Sequence, residues 1–193
     1  MFSEGPVRTI AGGQRGATLI EAILFIVIVG VAVGTVLAVF VGTSRQSGEP
    51  MIRKQALAIA ESLLEEVRLM PFTFCDPDDA NLVTATGAFI GPTGCATTLE
   101  GPGTEGGEAR GAVLTPLDNV SDYAGLVLAT ASDITGTAYP GYSATIVLAA
   151  LALGAGPNAV PAGESWLITV NVTGPAGIAV QIEGIRTRHA PNL

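Results

Sequence analysis

Cysteine, histidine and basic side chains are scarce in this sequence, and each scarcity closes off a class of function. Two cysteines and one histidine occur among 193 residues. Cys75, Cys95 and the distant His189 do not make up the four ligands of a structural zinc site, so no such metal and no cofactor are expected. The lone histidine leaves no nucleophile-and-base pair, no G-x-S-x-G turn appears, and no glycine-rich loop enters a phosphate site. The sequence therefore does not read as an enzyme. Lys and Arg together number 9 against 17 Asp and Glu, a net charge of -8. Apart from a local pair, Arg186 and Arg188, such a surface repels phosphates, and nucleic acid is not an expected partner. Internal repeats are also absent.

Charge is missing altogether from Ala22 to Val41. At ~1.5 Å of rise per residue a helix of that length matches the hydrocarbon core of a bilayer, which makes the run a membrane span. It is too long for a secretory signal and no small-x-small cleavage site follows it, so it reads as a retained anchor. Basic residues flank it on both sides, Arg8 and Arg15 before and Arg45, Arg53 and Lys54 after, and do not decide its orientation. Glu21 stands at the mouth of the run. Two settings make that charge tolerable: the lipid headgroup level, or a positive partner inside the membrane. Within the span Gly30, Gly34, Ala38 and Gly42 recur every four residues, a stripe on which another helix can approach closely; small residues are also simply common in membrane helices.

Gly16, Thr18, Leu19, Ile20 and Glu21 match the processing motif of type IV pilins and pseudopilins, and the chain resembles that family. The resemblance implies that a dedicated membrane peptidase cuts between Gly16 and Ala17 and methylates the new amine of Ala17. It also implies that Glu21 neutralises the terminal amine of a neighbouring subunit, an ion pair that sets the register between subunits. Ala17 departs from the Phe or Met with which many members begin. The run E-S-L-L-E-E-V before P-F, the segment Asp118 to Leu126 and the ending E-G-I-R-T-R-H-A-P-N are similar to minor pilins of the mannose-sensitive haemagglutinin class. The implied role is a minor pilus subunit, with a pseudopilin of a type II secretion system or a membrane-tethered periplasmic binding module as alternatives. Implied partners are other pilin subunits, the prepilin peptidase, the inner-membrane assembly machinery and, before assembly, membrane lipid. The implied location is the bacterial inner membrane, single-pass with the head in the periplasm, and then a pilus or pseudopilus.

The expected organisation is a leader over 1–16, a membrane and filament-core helix over 17–42, a kink over 43–50, an amphipathic helix over 51–71 and a β-rich head over 72–193. The kink rests on two glycines and Pro50. In the second helix Ile52, Ala56, Ile59, Ala60, Leu63, Val67 and Met70 form one apolar stripe. Glu49 with Arg53 and Glu65 with Arg68 are placed to pair on its wet side. Glu61 and Glu65 share a face, as a solvated pair or an acid/base pair, the first being the preferred reading. A short strand is expected around Leu82 to Ile90, a longer one from Tyr142 to Leu151, and an antiparallel hairpin of Ser165 to Thr173 with Ile178 to Arg188 joined by G-P-A-G. The class is α+β: a long, kinked N-terminal helix whose second half packs against an antiparallel head, as in pilins.

Cys75 and Cys95 read as a disulfide in preference to two buried thiols, which implies an oxidising space such as the periplasm. Asp76, Asp78, Asp79 and Asn81 have oxygens at a spacing suited to calcium but lack the glycine and the distal Glu of a standard loop, so a plain turn is the competing and preferred reading. Asn119 and Asn171 formally match glycosylation acceptors. The Asp118 to Leu126 segment reads either as a turn that carries Tyr123 into the head or as an outward binding loop.

Overall fold

A computed structural model describes residues 16, 18–46 and 48–188, and the chain divides into two units after Ser47. The first holds α1, Leu19–Gln46. Its segment Leu19–Val41 is long and apolar enough to cross a membrane, and none of it is buried within the chain. Its Ile, Leu, Val and Phe side chains are exposed on every side, the pattern of a helix long and apolar enough for a bilayer.

The second unit opens with α2, Glu49–Leu69. Of the residues expected in the kink, 43–46 end α1 and Glu49 and Pro50 open α2. Gly42 is carried inside α1, where a glycine costs only about 1 kcal/mol. Pro50 lies in the first turn of α2, where its missing N–H has no helical partner to lose. At the other end Pro71 pushes Met70 into an extended conformation (φ -66°, ψ 149°), and the helix stops.

Four strands form one antiparallel sheet in chain order: β1, Val127–Leu128; β2, Ser143–Ala150; β3, Ser165–Thr173; β4, Ala179–Thr187. The fold class is thus α+β. Ile146, Val170 and Ile182 stand opposite one another across β2, β3 and β4, as do Ala144, Val172 and Val180. Period-two alternation puts these on one face, and α2 lays Ala56, Ile59, Ala60, Leu63 and Val67 against it. Gly184 on β4 makes the close approach workable: a Cβ there would come within 2.8 Å of the Leu64 side chain. The β3–β4 hairpin turns through Pro175–Gly177, where Ala176 takes the left-handed conformation (φ 58°) otherwise reserved for glycine.

The strand expected around Leu82 to Ile90 does not form. That stretch is turns, with Ile90 contributing only an isolated bridge to Cys95. Its hydrophobic run is short and broken by Gly87, and its order comes from the disulfide and side-chain staples rather than from a ladder. Of the two expected helix-surface pairs, Arg68 and Glu65 approach to 3.9 Å, while the exposed Glu49 and Arg53 do not pair. Exposed pairs of this kind gain almost nothing over hydration, so either outcome is nearly neutral.

Candidate functional site

The motif that carries the family resemblance sits at the start of α1. Thr18 caps the helix, its hydroxyl accepting the Glu21 N–H at 3.4 Å and its carbonyl accepting the Ala22 N–H at 3.1 Å. A Thr followed three residues later by Glu is the spacing of a capping box, and among the described residues the Thr half of that exchange is present. The sequence reading missed this local role, though the spacing announces it. Glu21 also lies in the first turn, where the positive end of the helix dipole favours an anion. Its side chain is exposed. Gly16 is described, whereas Ala17, the leader before Gly16 and His189 lie outside the described residues. At Gly30 and Gly34 an added Cβ would meet nothing within 4 Å, so the stripe they form with Ala38 is uncovered within the chain.

In the head the disulfide Cys75–Cys95 closes a loop whose organiser is Asp79. Oδ1 of Asp79 accepts the N–H groups of Asn81 and Ala96, and Oδ2 those of Thr97 and Thr98 together with the Thr97 hydroxyl. These bonds, first among them those from Thr98 and Ala96, hold its carboxyl below the usual carboxylate range. Asp76 likewise accepts the Asp78 N–H at 2.7 Å. In the Asp76, Asp78, Asp79 and Asn81 cluster, considered above for calcium, the Asp79 oxygens are thus spent on backbone donors, and the geometry is that of a stapled turn.

A second constellation joins α2 to the following loops. Arg110 donates from Nε and Nη2 to the two oxygens of Glu66, at 2.7 and 2.6 Å, and from Nη1 and Nη2 to Ser132 and the Asp133 carbonyl. The Tyr123 hydroxyl donates to Glu66 Oε1 at 3.0 Å. Burial, with Glu66 beside it, pushes the Tyr123 phenol well above its ordinary value, and the Glu66 hydrogen bond raises the Arg110 guanidinium further. Tyr123 is fully buried in the 3-10 turn Ser121–Tyr123, which is the turn reading of the Asp118 to Leu126 segment. Asn119 is buried too, donating to the Thr73 hydroxyl at 2.6 Å, which leaves no room for a glycan. Glu61 and Glu65 are both exposed on α2. Nothing in sequence spacing announces the Glu66–Arg110 pair, whose members are 44 positions apart.

Beside this network, carboxylates gather from two segments. One oxygen each of Glu100, Glu105 and Asp122 lie within 4.8 Å of one another, and so do one each of Glu108, Asp118 and Asp122. Burial pushes the Glu100 carboxyl up to about 9, Glu108 to about 7 and Asp118 to about 6, and raises Glu105 and Asp122 as well. Across from them Arg188 ion-pairs with Glu164 at 3.3 Å and lies over the rings of Phe72 and Phe74, 4.1 and 4.5 Å from their centroids. No family model matches this chain, and neither a curated protein nor a solved structure is significantly similar to it.

Proposed function

We propose that the chain is a minor type IV pilin, a structural subunit that enters a pilus or its priming tip through α1. The observation that carries this reading is the Gly16-Ala17-Thr18-Leu19-Ile20-Glu21 motif at the mouth of a helix with no apolar face covered by its own chain. Such a helix needs two environments in turn, lipid before assembly and other helices after it. The open Gly30, Gly34 and Ala38 stripe suits the second, since close backbone approach is how helices gain packing contacts where no water is expelled.

On this reading prepilin peptidase cleaves between Gly16 and Ala17 and methylates Ala17, and the head is exported to the periplasm, an oxidising space that suits the disulfide. Glu21 then pairs with the amine of the adjacent subunit's first residue. In an apolar filament core each of those charges is costly alone, so only the stagger that brings them together is tolerated. The test is Glu21→Gln, followed in two fractions, the membrane and the filaments sheared from cells. The variant is expected in the membrane at the normal level and missing from filaments. Normal incorporation into filaments overturns the registration mechanism. Wild-type protein found only in the envelope, never in sheared filaments, favours the secretion-system pseudopilin instead.

A further inference from the structure

The gathering of carboxylates at 100–108 and 118–122 contains buried oxygens that face other carboxyl groups and that no N–H or hydroxyl donor of the described residues reaches. Asp122 is 2% exposed. Its Oδ2 accepts the N–H groups of Asp118 and Asn119 at 2.8 and 2.7 Å, but no N–H or hydroxyl donor reaches its Oδ1. Glu100 Oε1 and Asp118 Oδ1 are equally shielded from solvent and equally without a donor. An unsatisfied buried carboxylate oxygen is expensive, and the two carboxylate triads that meet at Asp122 call for a positive group. Among the described residues the two cations nearby are engaged by other carboxylates: Arg110, the single basic residue between Glu100 and Asp122, is committed to Glu66, and Arg188, whose charge also acts on Glu100, is paired with Glu164.

We propose that these two segments bind one calcium ion, with Asp122 Oδ1 as its central ligand and Glu100, Glu105, Glu108 and Asp118 supplying the surrounding oxygens. The donor set selects the ion: several carboxylates converging from two irregular loop segments suit calcium, which takes about six to eight oxygens in flexible geometry, whereas magnesium demands a near-ideal octahedron at roughly 2.1 Å and keeps several waters. An all-carboxylate set also disfavours zinc and copper, which prefer nitrogen and sulfur. The segments are held in place independently of the ion, since Glu100 N–H donates to the Phe74 carbonyl at 3.1 Å, Gly103 N–H to the Ser121 carbonyl at 3.0 Å and Val120 N–H to the Pro71 carbonyl at 2.9 Å. The site therefore lies where the end of α2 meets the glycine-rich loop, and calcium bound there fastens that loop to the helix. The inference does not depend on the proposed pilus role.

The experiment uses the full chain in detergent micelles, stripped with EDTA and exchanged into chelator-free buffer. Calcium chloride is titrated calorimetrically, and the Tm of the head is followed by emission of Trp166, the sole tryptophan. The expected result is one calcium per chain and a rise in Tm of roughly 5–10 °C at a hundredfold excess over Kd. Glu100→Gln and Glu108→Gln should each weaken binding at least tenfold, and Asp122→Asn should abolish it. Glu108→Gln keeps the inference testable if Asp122→Asn fails to fold, because the amide oxygen can still accept the Glu105 N–H that Glu108 holds at 3.3 Å. Asp76→Asn, which removes a neighbouring charge but no proposed ligand, should weaken binding by much less than either glutamate variant. Absence of both heat and Tm shift at millimolar calcium overturns the inference and leaves shared protons as the way the cluster is neutralised. Binding lost in Asp76→Asn but intact in Glu100→Gln and Glu108→Gln overturns it equally.

Discussion

Replacing Arg110 by Ala should be among the most damaging single changes in the head. The pair it forms with Glu66 is bidentate and nearly sealed, the two side chains being 7% and 10% exposed. Removing the guanidinium leaves the Glu66 carboxylate with the Tyr123 hydroxyl as its remaining partner, and frees the Ser132 and Asp133 carbonyls on the loop opposite. Breaking one side of a buried pair costs about 3–5 kcal/mol, because the surviving charge keeps its desolvation penalty without its partner. With a urea slope of about 2 kcal/mol/M, the unfolding midpoint read from Trp166 emission should fall by about 1.5–2.5 M. The double variant Glu66→Leu with Arg110→Met removes both charges and should recover most of that loss. A loss below about 1 kcal/mol for Arg110→Ala would place the pair among exposed bridges and refute the idea that it anchors the 110–133 region to α2.

Two further perturbations probe the stapled loop. Replacing both Cys75 and Cys95 by Ser opens a loop with a sequence separation of 20 and should cost roughly 3 kcal/mol in the same urea assay. An unchanged midpoint would mean that the Asp79 bonds alone hold the loop. Asp79 has a carboxyl pKa lowered by folding, so its contribution is complete above its unfolded value of ~3.9 and is lost as pH falls below that. Asp79→Asn should therefore lower the Tm at pH 7 and flatten its decline below about pH 4. An identical acid profile in the variant would contradict the bonding scheme.

Helix α2 and strands β3 and β4 were legible in the sequence because each repeats its apolar residues at the period of its geometry over several turns or pairs. The buried set Ala56, Ile59, Ala60, Leu63 and Val67 is the expected stripe with only its half-exposed ends, Ile52 and Met70, trimmed. β1 was not legible, since two residues cannot display a period; it exists because Val127 and Leu128 pair with Thr145 and Ala144 of β2. The 82–90 stretch misled for the opposite reason, Thr84 and Thr86 bonding to the nearby Asn81 and Thr93 carbonyls within the loop rather than to a neighbouring strand. The acidic site was hidden most completely. Glu100, Glu105, Glu108, Asp118 and Asp122 are scattered among glycines and prolines, and only the hydrogen bonds that fold those loops back towards Pro71 and Phe74 bring them together. The motif at Gly16 to Glu21 lies at the other extreme, a contiguous signal that needs no tertiary structure to be read.

The central claim, that this is a processed pilin subunit, is tested most directly by the amino-terminal mass of the native protein recovered from membranes of cells with and without a prepilin peptidase. The account predicts a chain that begins at N-methylated Ala17 only when the peptidase is present. A chain that keeps its leader in both strains would contradict it, and would make the protein a membrane-tethered module that never enters a filament.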